Sequence, residues 1–296
     1  MWFWLSLVAI LFWSGSDLFS KMGSNPEDKY SHWKLVMAVG TAMGIHAAVM
    51  LISGAEFSLL DMATYLPASA LYIFSMVLGY VGLRYIELSL STPICNSSGA
   101  VAAILCFIIL KQTMSGMQLF AVCLVSAAIL SLAAIERRYD KTPSKRQRGG
   151  SGTNYARSFI AILFPVFYCI IDGLGTFADA VILERFISEE AANIAYELTF
   201  FMMAVIGFVY EVIIKKEKIS LPHEKPKMAA ALCETAGQFA YVYALGDNAI
   251  VAAPLISSYC IFSLVWARII LKEKLTKAQY SVIAVAAVGI VILGME

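Results

Sequence analysis

Apolar residues run along this chain in long blocks, and short polar clusters interrupt the blocks at fairly even intervals. Each block is about 17–25 residues long, the length of helix that crosses about 30 Å of hydrocarbon. The pattern predicts ten membrane-spanning helices, near 2–22, 34–53, 63–83, 89–110, 117–135, 158–180, 192–214, 228–246, 249–271 and 278–295. The eighth and ninth are separated only by Gly246-Asp247-Asn248, read as a tight turn, and Glu87 follows the third closely. The first block lacks the basic lead and small-residue cleavage site of a secretory signal and continues to Lys21, so it is expected to remain in the mature chain.

Composition sharpens this picture. The 296 residues are 60% hydrophobic and 15% charged, with a mean hydropathy of +0.75, whereas a soluble domain carries about a quarter charged residues. Six cysteines (Cys95, Cys106, Cys123, Cys169, Cys233 and Cys260) lie inside apolar blocks with no metal-ligand or CxxC spacing, so they read as small core residues.

The net charge of +1 conceals a strong asymmetry: 20 of the 22 Lys and Arg fall in alternate connections, leaving Lys111 and Arg185 on the other side. The positive-inside rule then puts the odd connections in the cytoplasm and both termini outside, with a bacterial plasma (inner) membrane as the expected location. The polar, basic segment 136–157 is the one obvious linker, and it divides the chain into 1–135 and 158–296, five helices each.

The halves resemble one another. At an offset of 155, Phe12-Trp13 aligns with Phe167-Tyr168 and Asp17 with Asp172, so each first helix carries an acid four residues after an aromatic. Later the offset becomes 161: Tyr80 matches Tyr241, Pro93 matches Pro254, Lys111 matches Lys272 and Gln118 matches Gln279. Because each half has an odd number of spans, the second enters the bilayer in the opposite sense. The expected fold is therefore an all-α membrane protein of two inverted five-helix repeats (5+5) around a central cavity.

The run FWSGSDLFSK, with Trp13 eight residues before Lys21, and the run IILKEKLT at 269–276 resemble the first-helix and ninth-helix signatures of the drug/metabolite transporter superfamily, in its EamA-type branch. The span number, the midpoint linker and the repeat extend this resemblance over the whole chain. It departs at Lys272, where family members usually have Gly, and at Gln112, which stands in the first-half copy where the motif has an acid. The resemblance implies a ten-helix transporter, with export the commoner direction, and names no substrate.

Six ionisable side chains are singled out within or near the spans, away from obvious loop positions: Asp17, His46, Asp172, Glu197, Glu234 and Arg268. Asp172 has no cation three or four residues away and needs a partner from elsewhere, a water-filled cavity or a proton. Asp17 reads equally as a helix-end pair with Lys21 or as a lining residue. Glu197 and Glu234 read as cavity-lining, with Gln238 and Tyr241 close by. His46 reads first as a satisfied packing residue, and Arg268 as interfacial. Trp13, Tyr168, Tyr80 and Tyr241 occupy repeat-related positions, and Pro93 and Pro254 are candidate helix-start, hinge or kink residues. Gly40, Gly44, Gly79 and Gly82 suit close helix packing.

Acids beside aromatic rings suit an ammonium group, and buried acids suit proton exchange. The expected function is secondary transport of a small cationic or zwitterionic metabolite, an amine, quaternary ammonium or amino acid, with H+ as a candidate coupling ion and the lipid bilayer as its surroundings. No cofactor, metal or nucleic acid is expected. A membrane scaffold or receptor subunit is the alternative; an intramembrane enzyme fits less well, because HExxH, GxSxG and P-loop patterns are absent.

Overall fold

The computed structural model describes residues 1–24, 28–82, 88–140, 159–217, 224–270 and 275–295. Every regular element among them is helical: α1 (Trp2–Gly23), α2 (Ser31–Ile52), α3 (Leu59–Gly82), α4 (Leu88–Cys95), α5 (Ser98–Leu105), α6 (Gly116–Asp140), α7 (Phe159–Arg185), α8 (Glu189–Phe208), α9 (Lys225–Ile256), α10 (Tyr259–Ile270) and α11 (Lys277–Gly294). Wider π-helical turns extend α5 (Cys106–Leu110) and α8 (Val209–Ile214).

Among the described residues, nine helical segments are long and apolar enough to cross a membrane, one of them the composite Ser91–Leu110. This is the architecture of an integral membrane protein. The count falls one short of the ten expected because Lys225–Ile256 is one element that crosses a kink at Asn248 (φ −158°, ψ 81°), where two helices meet; the boundary expected between the eighth and ninth spans lies at this kink. The remainder of the expected ninth span is α10, only 12 residues long. The linker also begins later than expected: α6 runs to Asp140, and 141–157 lie outside the described residues.

The burial pattern reverses that of a soluble helix. On α1 the inward face is Ser6, Ala9, Ile10, Ser14, Ser16, Leu18 and Ser20, while Trp4, Val8, Leu11 and Phe12 face outward. Small and polar residues inside let helices approach closely, and large apolar ones outside suit lipid. Gly40 is the sharpest case: a methyl group there would lie 2.6 Å from the Ala204 side chain, so α2 and α8 meet almost backbone to backbone.

Helix starts are fixed by side chains. The Thr276 hydroxyl accepts from the Gln279 amide (3.2 Å) while Gln279 Oε1 accepts from the Thr276 amide (2.7 Å). Ser115 and Gln118 make the same reciprocal pair at 3.1 and 3.0 Å. Such capping boxes satisfy two otherwise orphaned donors and define where each helix begins.

The principal packing pairs are α1 with α9, α3 with α7, α2 with α8 and α6 with α11, with α5 against α7 and α10 against α1. Exchanging α1 for α7, α2 for α8, α3 for the first part of α9, α5 for α10 and α6 for α11 returns the same set. Two chain breaks face each other inside this bundle. α4 gives way to α5 at Asn96-Ser97, and α9 gives way to α10 at Ser257-Ser258. They cross so tightly that a methyl group at Gly99 would lie 2.6 Å from the Ala253 carbonyl oxygen.

Candidate functional site

Four helices each turn a face of polar and aromatic residues, spaced three or four apart, toward one interior cavity of about 100 Å³. α1 contributes Trp13, Ser16, Asp17 and Ser20; α3 contributes Tyr72, Met76 and Tyr80; α7 contributes Tyr168, Asp172 and Thr176; α9 contributes Glu234, Gln238 and Tyr241. The two chain breaks close the remaining wall, with Asn96, Ser98 and Ser257.

The cavity carboxylates are held by hydroxyls. Asp172 accepts from Ser75 Oγ at 3.1 Å and from Ser98 Oγ at 2.8 Å. Ser98 opens α5, so Asp172 lies where the positive end of that helix dipole favours a carboxylate. Asp17 accepts from Ser263 Oγ of α10 at 3.2 Å, and Ser16 is the partner of Glu234. Among the described lining residues there are three carboxylates and no Lys, Arg or His.

Aromatic rings fill out the wall. Trp13 stacks at a tilt on Tyr241 with centroids 4.8 Å apart and meets Tyr259 edge-on at 5.7 Å. Gly237 makes room for it, since a methyl group there would lie 2.7 Å from Trp13 Nε1. Four buried donors in this wall lack a hydrogen-bond partner: Trp13 Nε1, Tyr80 Oη, Asn96 Nδ2 and Gln238 Nε2. The cavity thus offers carboxylates and ring faces to a cation and unmet donors to acceptor oxygens.

Of the residues singled out from the sequence, Asp17, Asp172, Glu234, Trp13, Tyr80, Tyr168, Tyr241 and Gln238 meet in this cavity. Glu197 and His46 do not. Glu197 was expected to line the cavity. Instead it is fully buried between α2 and α8, where both its oxygens lie within hydrogen-bonding distance of His46 Nδ1, at 2.8 and 2.9 Å. Phe239 packs edge-on against that imidazole. The reason is helix rotation: the neighbouring Tyr196 takes the cavity-facing position. Pro93 and Pro254 start no helix. Each lies in the last turn before a chain break, where its missing amide takes one backbone hydrogen bond out of the helix beside the interruption.

Sequence reasoning missed Asp179, which is fully buried two turns beyond Asp172 on α7. The spacing of seven was the available signal. It also missed an ionic cluster where α2, α8 and α9 end together. Lys34 Nζ lies 2.7 Å from Asp28, 3.7 Å from the fully buried Glu211 and 3.9 Å from Glu224, and Glu224 also pairs with Lys227.

No protein-family model matches this chain, and no curated protein does. The fold itself is shared. One solved crystal structure superposes with a TM-score of 0.67, covering 98% of this chain and 95% of the other at 12% sequence identity. At that identity the likeness carries the fold alone.

Proposed function

We propose that this chain is a secondary transporter of the EamA type within the drug/metabolite transporter superfamily, moving a small cationic or zwitterionic metabolite by alternating access between two inverted five-helix halves. The helix pairing that survives exchange of the halves supports the repeat. So do the two chain breaks, at 96–97 and 257–258, and the two capping boxes, all related by the offset of 161 read from the sequence. Broken helices facing a cavity between repeats are a recurring solution for a substrate site, because non-helical backbone is tolerated only where it lines such a space.

The observation that carries the substrate class is the cavity's charge: three carboxylates, no basic side chain among the described lining residues, and an aromatic wall. An ammonium group satisfies the acids and gains cation–π attraction of about 0.5–2 kcal/mol per ring. The unmet donors at Trp13, Asn96 and Gln238 favour a ligand that also carries acceptor oxygens.

The test is thermal stability of the purified protein with benzyltrimethylammonium, zwitterionic amino acids, sugars and nucleosides. A bound cation at about 100 times its Kd raises stability by about 2.7 kcal/mol. Loss of a charged partner worth about 1.5–3 kcal/mol weakens the apparent affinity about 10- to 100-fold in Asp172→Asn or Glu234→Gln. Stabilisation by neutral or anionic compounds alone, unchanged in both variants, would overturn the cationic reading.

A further inference from the structure

Asp179 lies outside the cavity wall and is the most thoroughly enclosed acid of α7, with no exposed surface. Its Oδ2 lies 3.2 Å from the Tyr72 hydroxyl, and Tyr72 lies 2.5 Å from the Tyr241 hydroxyl. Tyr241 is in turn 3.2 Å from Thr176 Oγ1, and Tyr72, Tyr241 and Thr176 all line the cavity. On the other side of Asp179 stands the hydroxyl of Tyr65, a neutral neighbour of the carboxylate.

Among the described residues, the groups facing Asp179 are not cations. α3 brings Tyr65 and Tyr72, and α9 brings Tyr241. α7 itself carries Asp172 two turns away, while α4, α5 and the turn Cys106–Leu110 hold only the thiols Cys95 and Cys106 as titratable groups. An ionised carboxylate buried without a cation is costly, and a proton removes the cost.

The hydroxyl chain ties this proton to the cavity. Tyr72 and Tyr241, 2.5 Å apart, need one proton between them, and each hydroxyl has only one to give. If Tyr241 donates to Tyr72, Tyr72 donates to the Asp179 carboxylate. If Tyr72 donates to Tyr241, Tyr241 donates to Thr176, and Asp179 must carry the proton that Tyr72 accepts. The direction of the chain therefore follows the protonation state of Asp179.

We propose that Asp179 is a proton-binding site distinct from the substrate cavity, and that Tyr72, Tyr241 and Thr176 form the relay that exchanges its proton with the cavity. In the loading step Thr176 gains a proton from the cavity and passes its own to Tyr241, Tyr241 passes its own to Tyr72, and Tyr72 passes its own to Asp179 Oδ2. All three relay residues end as neutral hydroxyls, and the carboxylate becomes a carboxylic acid. A second concavity, lined by Ala180, Glu184 and Asp247 among others, begins one residue beyond Asp179 on α7. This deepens the transport reading by naming where a coupling proton resides, and it rests on that reading for the coupling itself.

Infrared difference spectra of the full-length protein in nanodiscs, recorded after a pH jump, test the site without any substrate. A carboxylic-acid carbonyl band that appears on acidification is expected in the wild type and in Asp172→Asn, and is lost in Asp179→Asn. Tyr72→Phe keeps the band but slows its appearance, on the order of 100-fold for loss of a positioned proton carrier. Should Asp179→Asn not fold, Asp179→Glu decides, because the longer acid moves the band instead of removing it. A band unchanged in these Asp179 variants, or equally fast in Tyr72→Phe, overturns the proposal. A titrating Asp179 band without stabilisation by benzyltrimethylammonium removes the cationic reading and leaves the proton site standing; probe binding with no such band does the reverse.

Discussion

The central cavity and the ionic cluster at the shared end of α2, α8 and α9 both gather carboxylates, and they treat them in opposite ways. In the cluster, Asp28, Glu211 and Glu224 surround Lys34, with Lys227 completing the set. In the cavity, Asp17 and Asp172 accept from serine hydroxyls and Glu234 has Ser16 as a partner. The cluster ties residues of the first half to residues of the second, with two ammonium groups among its three acids. The cavity acids have no Lys, Arg or His among the described lining residues, and on the proposed reading a bound cation supplies the charge.

The comparison can be broken from either side. Lys34→Met leaves Asp28 and Glu211 without the ammonium that joins them, while Lys227 stays with Glu224. Because Glu211 is fully buried, the loss is expected to reach about 3 kcal/mol, seen as a lowered Tm and largely recovered in the double variant with Glu211→Gln. The converse change, Gln238→Lys, places an ammonium one turn beyond Glu234. It should satisfy the cavity acids and weaken benzyltrimethylammonium binding about 10- to 100-fold by equilibrium dialysis.

Smaller effects sharpen the picture. Thr276→Ala removes one capping box and costs about 1 kcal/mol, while Ser115→Ala removes its counterpart; similar Tm losses would mark the two joints as equivalent. The smallest effect is the pH response of Asp28. Burial opposes its charge, but the Lys34 ammonium and the Tyr30 amide outweigh this and hold its carboxyl below the ordinary value. The stability it adds is therefore complete above the ordinary carboxylate range and is lost as pH falls through the lowered value. An acid titration of Tm should lose this small increment in Asp28→Asn and keep it in Asp61→Asn.

Much of the fold was legible because spans are written as uninterrupted apolar runs, and much of the cavity because Trp13, Asp17, Tyr168 and Asp172 share one spacing in both halves. The chain breaks were not legible. Asn96, Ser97, Ser257 and Ser258 are tolerated in membrane helices, and only the nearby prolines hinted at an interruption. The pairing of His46 with Glu197 joins residues 151 positions apart, so no local pattern could announce it. The meeting of Lys34 with Glu211 was hidden as well, because sequence shows where a charge lies along a helix but not which helix ends converge.

The near-backbone contact at Gly40 has a mechanical consequence. With no side chain to cushion it, any tilt of α2 is passed to α8 as through a fulcrum. Ile52 lies 12 residues beyond Gly40 on α2, and at 1.5 Å per residue that arm is about 18 Å long, so a tilt of about 10° swings its tip by about 3 Å. A rotation barely perceptible at the pivot becomes, at the rim, a displacement the width of a water molecule.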